Sequence, residues 1–487
     1  MTAQLPRERG HFFIGGEWRA PSTGARIDVV SPFSEVRIGG VPDAVTADMD
    51  SAVAASREAF DHGPWPRLSI VERAAVLNSI SAYLRDRGPE IARLVSDEMG
   101  GPMGRLGRAP GAPADMIERV AALAVETGDS QRRQGLLGEA LIRHEPVGVV
   151  AAITPWNGPL TLLLMKFAPA LAMGCTVVAK PSPEAPLDAF VLADACEAAG
   201  LPPGVFNLVP GGREAGEYLV SHPGVDKVAF TGSTAAGRRI AEICGRDLRR
   251  CSLELGGKSA AVALDDADPA LVASVAVPFG LAFNNGQACA ALTRILVPRA
   301  RQAEFVDALE AEMTKLVVGD PADPATQVGP VVAERQRRRI EGLIAAGRAE
   351  GARLVVGADR PAFEKGWFVA PTLFADVDNG MTIARQEIFG PVGVVIPYDG
   401  GDEEAIAIAN DTPYGLAGAV FSADAGRAFD GVKRVRAGTM GVNSFGIDPA
   451  LPFGGYKASG IGRENSREGL LAFTETKVVL GAPAGTS

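Results

Sequence analysis

Residues 284–293 read NNGQACAALT, and Cys289 is the side chain there that could bond covalently to a substrate. A thiolate adds to an electrophilic carbon and later leaves, although a cysteine among small residues is more often a buried hydrophobe. Two other segments hold partners for such chemistry. TPWNGPL (154–160) follows an apolar strand and opens a helix. Asn157 is therefore either a helix cap or an amide donor to a developing oxyanion, aided by the positive helix end. LELGGKS (253–259) puts Glu254 at a strand end, before two glycines. That carboxylate is either ion-paired or kept as a base, and the glycines let the chain pass close to something else. AFTGSTAAGRR (229–239) brings Gly232, Ser233 and Gly237 to a helix start. It lacks the GxGxxG pattern, so it is either a phosphate turn or a plain tight turn.

These groups need elements to hold them. Helices are expected from about 48 to 60, 69 to 87 and 112 to 127, after an opening, FFIGGEWRAPSTGARIDVVSP, that reads as a short hairpin. From PVGVVAAI (146–153) onward, short β-branched runs alternate with helical stretches: a helix at 160–173, CTVVAK, a helix at 187–199, VFNLV, a helix at 213–221, KVAFT, a helix at 234–244 and CSLEL. That alternation predicts an α/β chain with a doubly wound parallel sheet. Ligands of such sheets lie beyond the carboxyl ends of the strands, here at Thr154, Lys180, Pro210, Thr231 and Glu254. A second α/β unit starts near 257 and carries Cys289, so a cleft between the two is expected to hold the chemistry.

The 487 residues suffice for two or three domains, and 47% hydrophobic with 22% charged residues is ordinary globular composition. A net charge of -10 argues against a nucleic-acid or anionic-membrane partner. Five scattered cysteines without CxxC, and histidines only at 11, 62, 144 and 222, predict neither disulfides nor a metal site. No apolar run reaches the roughly 18–20 residues of a membrane span, and the N-terminus has no signal-peptide pattern; a cytoplasmic location is expected.

TPWNGP, KPSPEAP, FTGST, LELGGK, NNGQAC, QEIFGPV, PFGGYKASGIGRE and FTETK occur in an order and spacing that resembles the aldehyde dehydrogenase superfamily, from about residue 12 to residue 480. The resemblance implies a Rossmann-like NAD(P)-binding domain (1–127 and 147–256) and an α/β catalytic domain (257–470). It also implies a small β oligomerisation element (128–146 and 471–487) that joins subunits into dimers or dimer-of-dimers homotetramers. It further implies that Cys289 attacks the aldehyde and that Asn157 with the Cys289 N–H steadies the oxyanion. Hydride then passes to NAD(P)+, and Glu254 activates the water that hydrolyses the thioester. Lys166 stands nine residues after Asn157, at the family's spacing. Glu464 matches a family glutamate that is either a proton relay or a structural ion pair.

By the same resemblance the cofactor lies on Ile153, Thr154, Pro155, Trp156, Lys180, Ser182, Pro183, Gly212, Phe230, Thr231, Gly232, Ser233, Leu255, Glu387 and Phe389. Many NAD-preferring relatives carry glutamate where this chain has Pro183, so NAD+ is expected to be preferred and NADP+ accepted. The aldehyde tunnel falls on Gly158, Leu162, Met165, Ala288, Phe445, Ile447 and Leu451, an apolar set that implies a hydrophobic aliphatic, terpenoid or aromatic aldehyde. Members that transfer the acyl group to coenzyme A lack the glutamate found here at 254. A non-catalytic relative has no need to keep Cys289, Glu254 and Asn157 together.

Overall fold

The computed structural model describes residue 5 and residues 7–481; the outermost parts of the expected first and last segments, 1–4, 6 and 482–487, lie outside the described residues. Its main sheet has eight strands in the order Gly460–Ile461, Arg250–Glu254, Lys227–Thr231, Val149–Ile153, Thr176–Lys180, Phe206–Leu208, Phe12–Ile14 and Glu17–Arg19. The five central strands are parallel. The first three of them in the chain proceed one way from Val149–Ile153 and the last two return on its other side. The order therefore reverses between Val149–Ile153 and Lys227–Thr231, which opens a crevice above Thr154 and Gly232.

The inner strands of this sheet are buried on both faces because they are mostly apolar, and successive side chains alternate between two cores. Val150, Ala152, Val177 and Ala179 pack with helices Ile70–Asp86, Ala112–Thr127, Pro159–Ala172 and Leu187–Ala198. Val149, Ala151, Ile153, Val178, Val228 and Phe230 pack with Thr46–Asp61, Arg213–Ser221 and Thr234–Arg246. A second, seven-stranded sheet runs Arg353–Val356, Thr372–Ala375, Val392–Tyr398, Arg294–Pro298, Ala260–Ala263, Ala417–Phe421 and Thr439–Val442, again with alternating residues in two cores.

Two expectations change. The run 146–153 is not one strand. Gly138–Pro146 joins Ser130–Gly135 and Thr474–Leu480 in a three-stranded antiparallel sheet, and Val149–Ile153 enters the main one. The break falls at Gly148, whose φ of +129° suits only glycine and whose Cβ would lie 1.9 Å from the Asp226 carboxylate. The opening segment makes two hairpins. Phe12–Ile14 with Glu17–Arg19 extends the main sheet, and Arg26–Val30 with Arg37–Pro42 stands apart. Among the described residues no helix is long and apolar enough to cross a membrane.

Candidate active site

Four segments meet beyond the strand ends, and small residues let them do so. A Cβ on Gly257 would lie 2.2 Å from the Cys289 carbonyl oxygen, and one on Gly256 would lie 2.4 Å from the Glu387 carboxylate. The two glycines after Glu254 thus bring that strand end, the Cys289 loop and the QEIFGPV segment together. Gly286, at φ +72°, passes within 2.2 Å of Gly390 measured from where a Cβ would be.

The residues before the cysteine form a clamp that the sequence did not disclose. Asn284 and Asn285 adopt left-handed conformations (φ 54° and 61°), which asparagine tolerates better than most residues. The Asn285 amide donates to the carbonyls of Gly100 and Pro330, both at 2.9 Å, and accepts from Gly329 N–H at 2.7 Å. Gln287 accepts from Val332 N–H at 2.9 Å. Asn284 donates to the Asn157 carbonyl (2.6 Å) and the Gln287 carbonyl (3.1 Å), and accepts from Arg105 (3.1 Å). All three amides are buried. A run of amides beside a glycine was the one available signal, and it did not say where the side chains point.

Asn157 does not cap its helix. Gly158 occupies the N-cap position of Pro159–Ala172 and has no side chain to offer, so the Asp188 carboxylate supplies the cap by accepting from Leu160 N–H at 2.6 Å. The Asn157 amide instead donates to the Gln287 carbonyl at 3.0 Å, two residues before Cys289.

Lys166 is the only charged side chain in the apolar helix PLTLLLMKFAPALA and is wholly buried. A buried ammonium requires partners. It finds the Glu464 carboxylate at 2.7 Å and the Thr231 hydroxyl at 2.6 Å. The ion-pair reading of Glu464 is thereby satisfied by one carboxylate oxygen; the other has no hydrogen-bond partner. Nor has either oxygen of Glu254. Burial, and then the negative charge of Glu464, hold the Glu254 carboxyl well above the usual carboxylate range, while Lys166 and Arg463 pull it back. Burial, reinforced by Glu387 and Glu254, pushes the Cys289 thiol up to about 12. Glu387, which accepts from Gly257 N–H at 3.0 Å, is raised to about 7 by burial.

The crevice fits a dinucleotide in several respects. The helix Thr234–Arg246 starts there with no acidic residue in its first turn, leaving its positive end uncompensated. Exposed Ser233 caps this helix by accepting from Ala236 N–H, and a Cβ on Gly232 would strike the Phe230 ring at 2.5 Å. The Thr154 hydroxyl is buried without a partner. The rings of Trp156 and Phe389 meet edge to face, 5.3 Å apart. Ile153, Phe230 and Leu255 are buried beneath. Gly212 caps the helix Arg213–Ser221. Lys180 donates to the carbonyls of Pro181 and Gly211, and burial lowers its ammonium to about 8. Ser182 donates to Glu184, whose other oxygen is held by Arg335.

Around half-buried Cys289 lies an apolar cluster of Met116, Leu162, Met165, Ala290, Leu416, Ala417, Phe445 and Phe453. Leu162, Met165 and Phe445 were expected there; Met116 and Phe453 were not, although Phe453 belongs to the quoted PFGGYK. Ala288 is half-buried beside the cysteine, and a side chain at Gly158 would meet only Leu162, at ordinary contact distance. Ile447 and Leu451 are 46% and 59% exposed and stand outside the cluster, because the loop 443–453 turns only its two phenylalanines inward. Among the described residues no group of three or more His, Cys, Asp or Glu side chains is placed to hold a metal ion.

The site thus joins a doubly wound sheet and a second α/β sheet, with Cys289 within electrostatic reach of the unpartnered Glu254 carboxylate. The chain belongs to the aldehyde dehydrogenase family, whose model matches residues 18–479. Among its relatives, geranial dehydrogenase of Castellaniella defragrans is 48% identical, over 96% of this chain and 98% of that one. The 3-succinoylsemialdehyde-pyridine dehydrogenase of a Pseudomonas species is 41% identical, over 98% and 99%. The crystal structure of a Mycobacterium tuberculosis aldehyde dehydrogenase complexed with NAD+ superposes with a TM-score of 0.93 at 46% identity, covering 99% of this chain and 100% of that one. A cysteine-to-alanine variant of aldehyde dehydrogenase C from Pseudomonas syringae, complexed with NAD+ and octanal, gives 0.92 at 40% identity over the whole of both chains.

Proposed function

We propose that this aldehyde dehydrogenase oxidises a hydrophobic aldehyde to its carboxylic acid with NAD+ as the preferred acceptor, using Cys289 as nucleophile. The observation that carries the reading is Cys289 packed in an apolar cluster, within electrostatic reach of Glu254, a buried glutamate whose carboxylate has no hydrogen-bond partner. The apolar walls bind the hydrocarbon part of the substrate, each buried CH₂ contributing up to about 0.8 kcal/mol. Once the Cys289 thiol has given its proton to solvent, the sulfur bonds to the carbonyl carbon and the C=O π pair moves onto oxygen; the second N–H of the Asn157 amide and the Cys289 N–H would receive that oxyanion. When bound, NAD(P)+ supplies the hydride acceptor that turns the Cys289 adduct into a thioester. Glu254, once ionised, takes a proton from water; the hydroxide cleaves the thioester, and sulfur leaves as the thiol. Geranial, for which one relative is named, and octanal, held in the Pseudomonas syringae structure, are aldehydes of this hydrophobic kind.

On this reading residues 1–127 and 147–256 hold the cofactor, 257–470 supply the nucleophile, and 128–146 with 471–487 join subunits. The exposed apolar residues Leu136, Leu137, Val478 and Leu480 on the three-stranded sheet support that last assignment. The test is single-turnover kinetics with an apolar aldehyde. Glu254→Gln is expected to give a burst of NADH followed by a slow steady state. Cys289→Ala is expected to bind NAD+ and retain less than about a hundredth of the rate. Loss of the burst in Glu254→Gln would show that Glu254 acts before acylation.

A further inference from the structure

A cleft of about 510 Å³ opens beside the nucleophile loop, between residues 102–108, 278–284 and 324–327. Phe279 and Phe283 form its floor, Arg105 and Arg108 line it, and no carboxylate does. The Arg105 guanidinium lies 4.7 Å above the Phe283 ring and donates to Asn284 at 3.1 Å. Neither arginine has an ion-pair partner among the described residues, in a chain of net charge -10 where most surface arginines are paired. The cleft adjoins the site. The Phe279 ring meets Phe445 edge to face at 5.6 Å, and Phe445 packs in the cluster around Cys289. Asn284 is both a wall of the cleft and the residue that ties Arg105 to the backbone of Asn157 and Gln287.

We propose that this cleft receives the far end of the aldehyde substrate and that this end carries a carboxylate. The inference rests on the function proposed above and narrows its substrate to an apolar chain with an aldehyde at one end and an acid at the other. Arginine suits the role. Its planar fork can stack on a ring with one face and still offer N–H groups to a carboxylate in its own plane, and two unpaired guanidinium groups lower the desolvation cost of the anion. The cleft volume falls within the range typical of small-molecule sites. Arg105 and Arg108 lie in the polar-looking stretch GGPMGRLGRAPG, some 180 residues before Cys289 in the chain, which explains why the tunnel read from sequence was purely apolar.

The test compares kcat/KM for an n-alkanal and an ω-oxo carboxylate of equal chain length, each with NAD+ and with NADP+. The wild type is expected to favour the acid-ended substrate by at least about tenfold, as a charge-assisted hydrogen bond allows, and the ratio is expected to shrink with added salt. In Arg105→Met/Arg108→Met the ratio is expected to fall towards one, mainly through KM. Arg108→Met alone, which breaks no hydrogen bond of the clamp, is expected to lower it in part, and turnover of the alkanal reports that each variant is folded. Equal or better use of the alkanal by the wild type overturns the inference, as does a preference for the acid that survives in both variants. If neither aldehyde is oxidised with either nucleotide, the reading of the Cys289 site fails, and this inference with it.

Discussion

At the scale of single residues the site is governed by charges held away from water. Burial and the negative charge of Glu464 raise the cost of ionising Glu254, while Lys166, which is ion-paired to Glu464, and Arg463 offset part of it. Because the Glu254 carboxyl is raised, the base form that the proposed hydrolysis step uses gains population as pH rises, and kcat is expected to climb with pH. Replacing Glu464 with Gln removes the like charge and frees Lys166 to act on Glu254. Both effects lower the acidity threshold, so the rising limb of kcat in Glu464→Gln should move to lower pH. A limb that stays put or moves upward would show that another group limits the pH profile. The same burial makes Cys289 a thiol at rest. Its reactivity must then be released by what binds next to it rather than by a standing thiolate.

At the scale of elements, loops are placed by what they cannot accommodate. Gly257→Ala would push a methyl into the Cys289 carbonyl, a backbone atom that cannot swing away. The expected outcome is a folded protein with a displaced nucleophile: aldehyde oxidation falls by more than about tenfold, while NAD+ binding, measured by fluorescence quenching, persists. The loop after Lys180 carries a second prediction. Pro183 offers no carboxylate to a ribose, and both oxygens of Glu184 are engaged by Ser182 and Arg335. A charge that would repel a 2′-phosphate is thus missing or neutralised, so measurable use of NADP+ is expected. Pro183→Glu restores the repulsion and should widen the preference for NAD+ in kcat/KM. A wild-type preference already beyond about a thousandfold (roughly 4 kcal/mol) and unmoved by the substitution would place discrimination elsewhere.

At the scale of the whole molecule, a buried acid pair ties three helices together. Glu98, near the end of Gly88–Met99, accepts from Leu187 N–H at 2.8 Å, and Asp188 accepts from Leu160 N–H at 2.6 Å. Each carboxyl has one oxygen so used and one with no partner, and neither residue is exposed. Burial raises both groups, Asp188 to about 7 and Glu98 further through the charge of Asp188. The folded state therefore holds a proton that the unfolded chain releases near its ordinary carboxylate value. The contribution to stability is full below about pH 4, declines as pH rises, and is lost by about pH 7. Asp188→Asn keeps the shape and the acceptor for Leu160, and its amide can donate to Glu98. Relative to wild type, its unfolding free energy should rise as pH goes from about 5 to 8, by an amount of order 2 kcal/mol, seen as a Tm difference that grows over the same range. A difference in Tm independent of pH would show that the pair does not share a proton.

Some of this was legible in the chain before any coordinates. The alternation of β-branched runs with helices located the parallel strands to within about three residues, because apolar periodicity is a property of a contiguous segment. Helix Ala112–Thr127 came out with the expected bounds. The types of Cys289, Asn157 and Glu254 suggested the chemistry proposed for them, since few side chains can attack a carbonyl, steady an oxyanion or draw a proton from water. What the segments do to one another was not legible. The direction of the Asn157 amide, the partner of Lys166 some 300 residues away, the amide clamp before Cys289 and the arginines beside Phe283 all depend on crossover connections that bring distant segments to one crevice. Nothing in local spacing encodes those meetings. The break at Gly148 was hidden for a related reason: the clash with Asp226 that demands glycine there comes from a residue 78 positions on, visible only once the strands are paired.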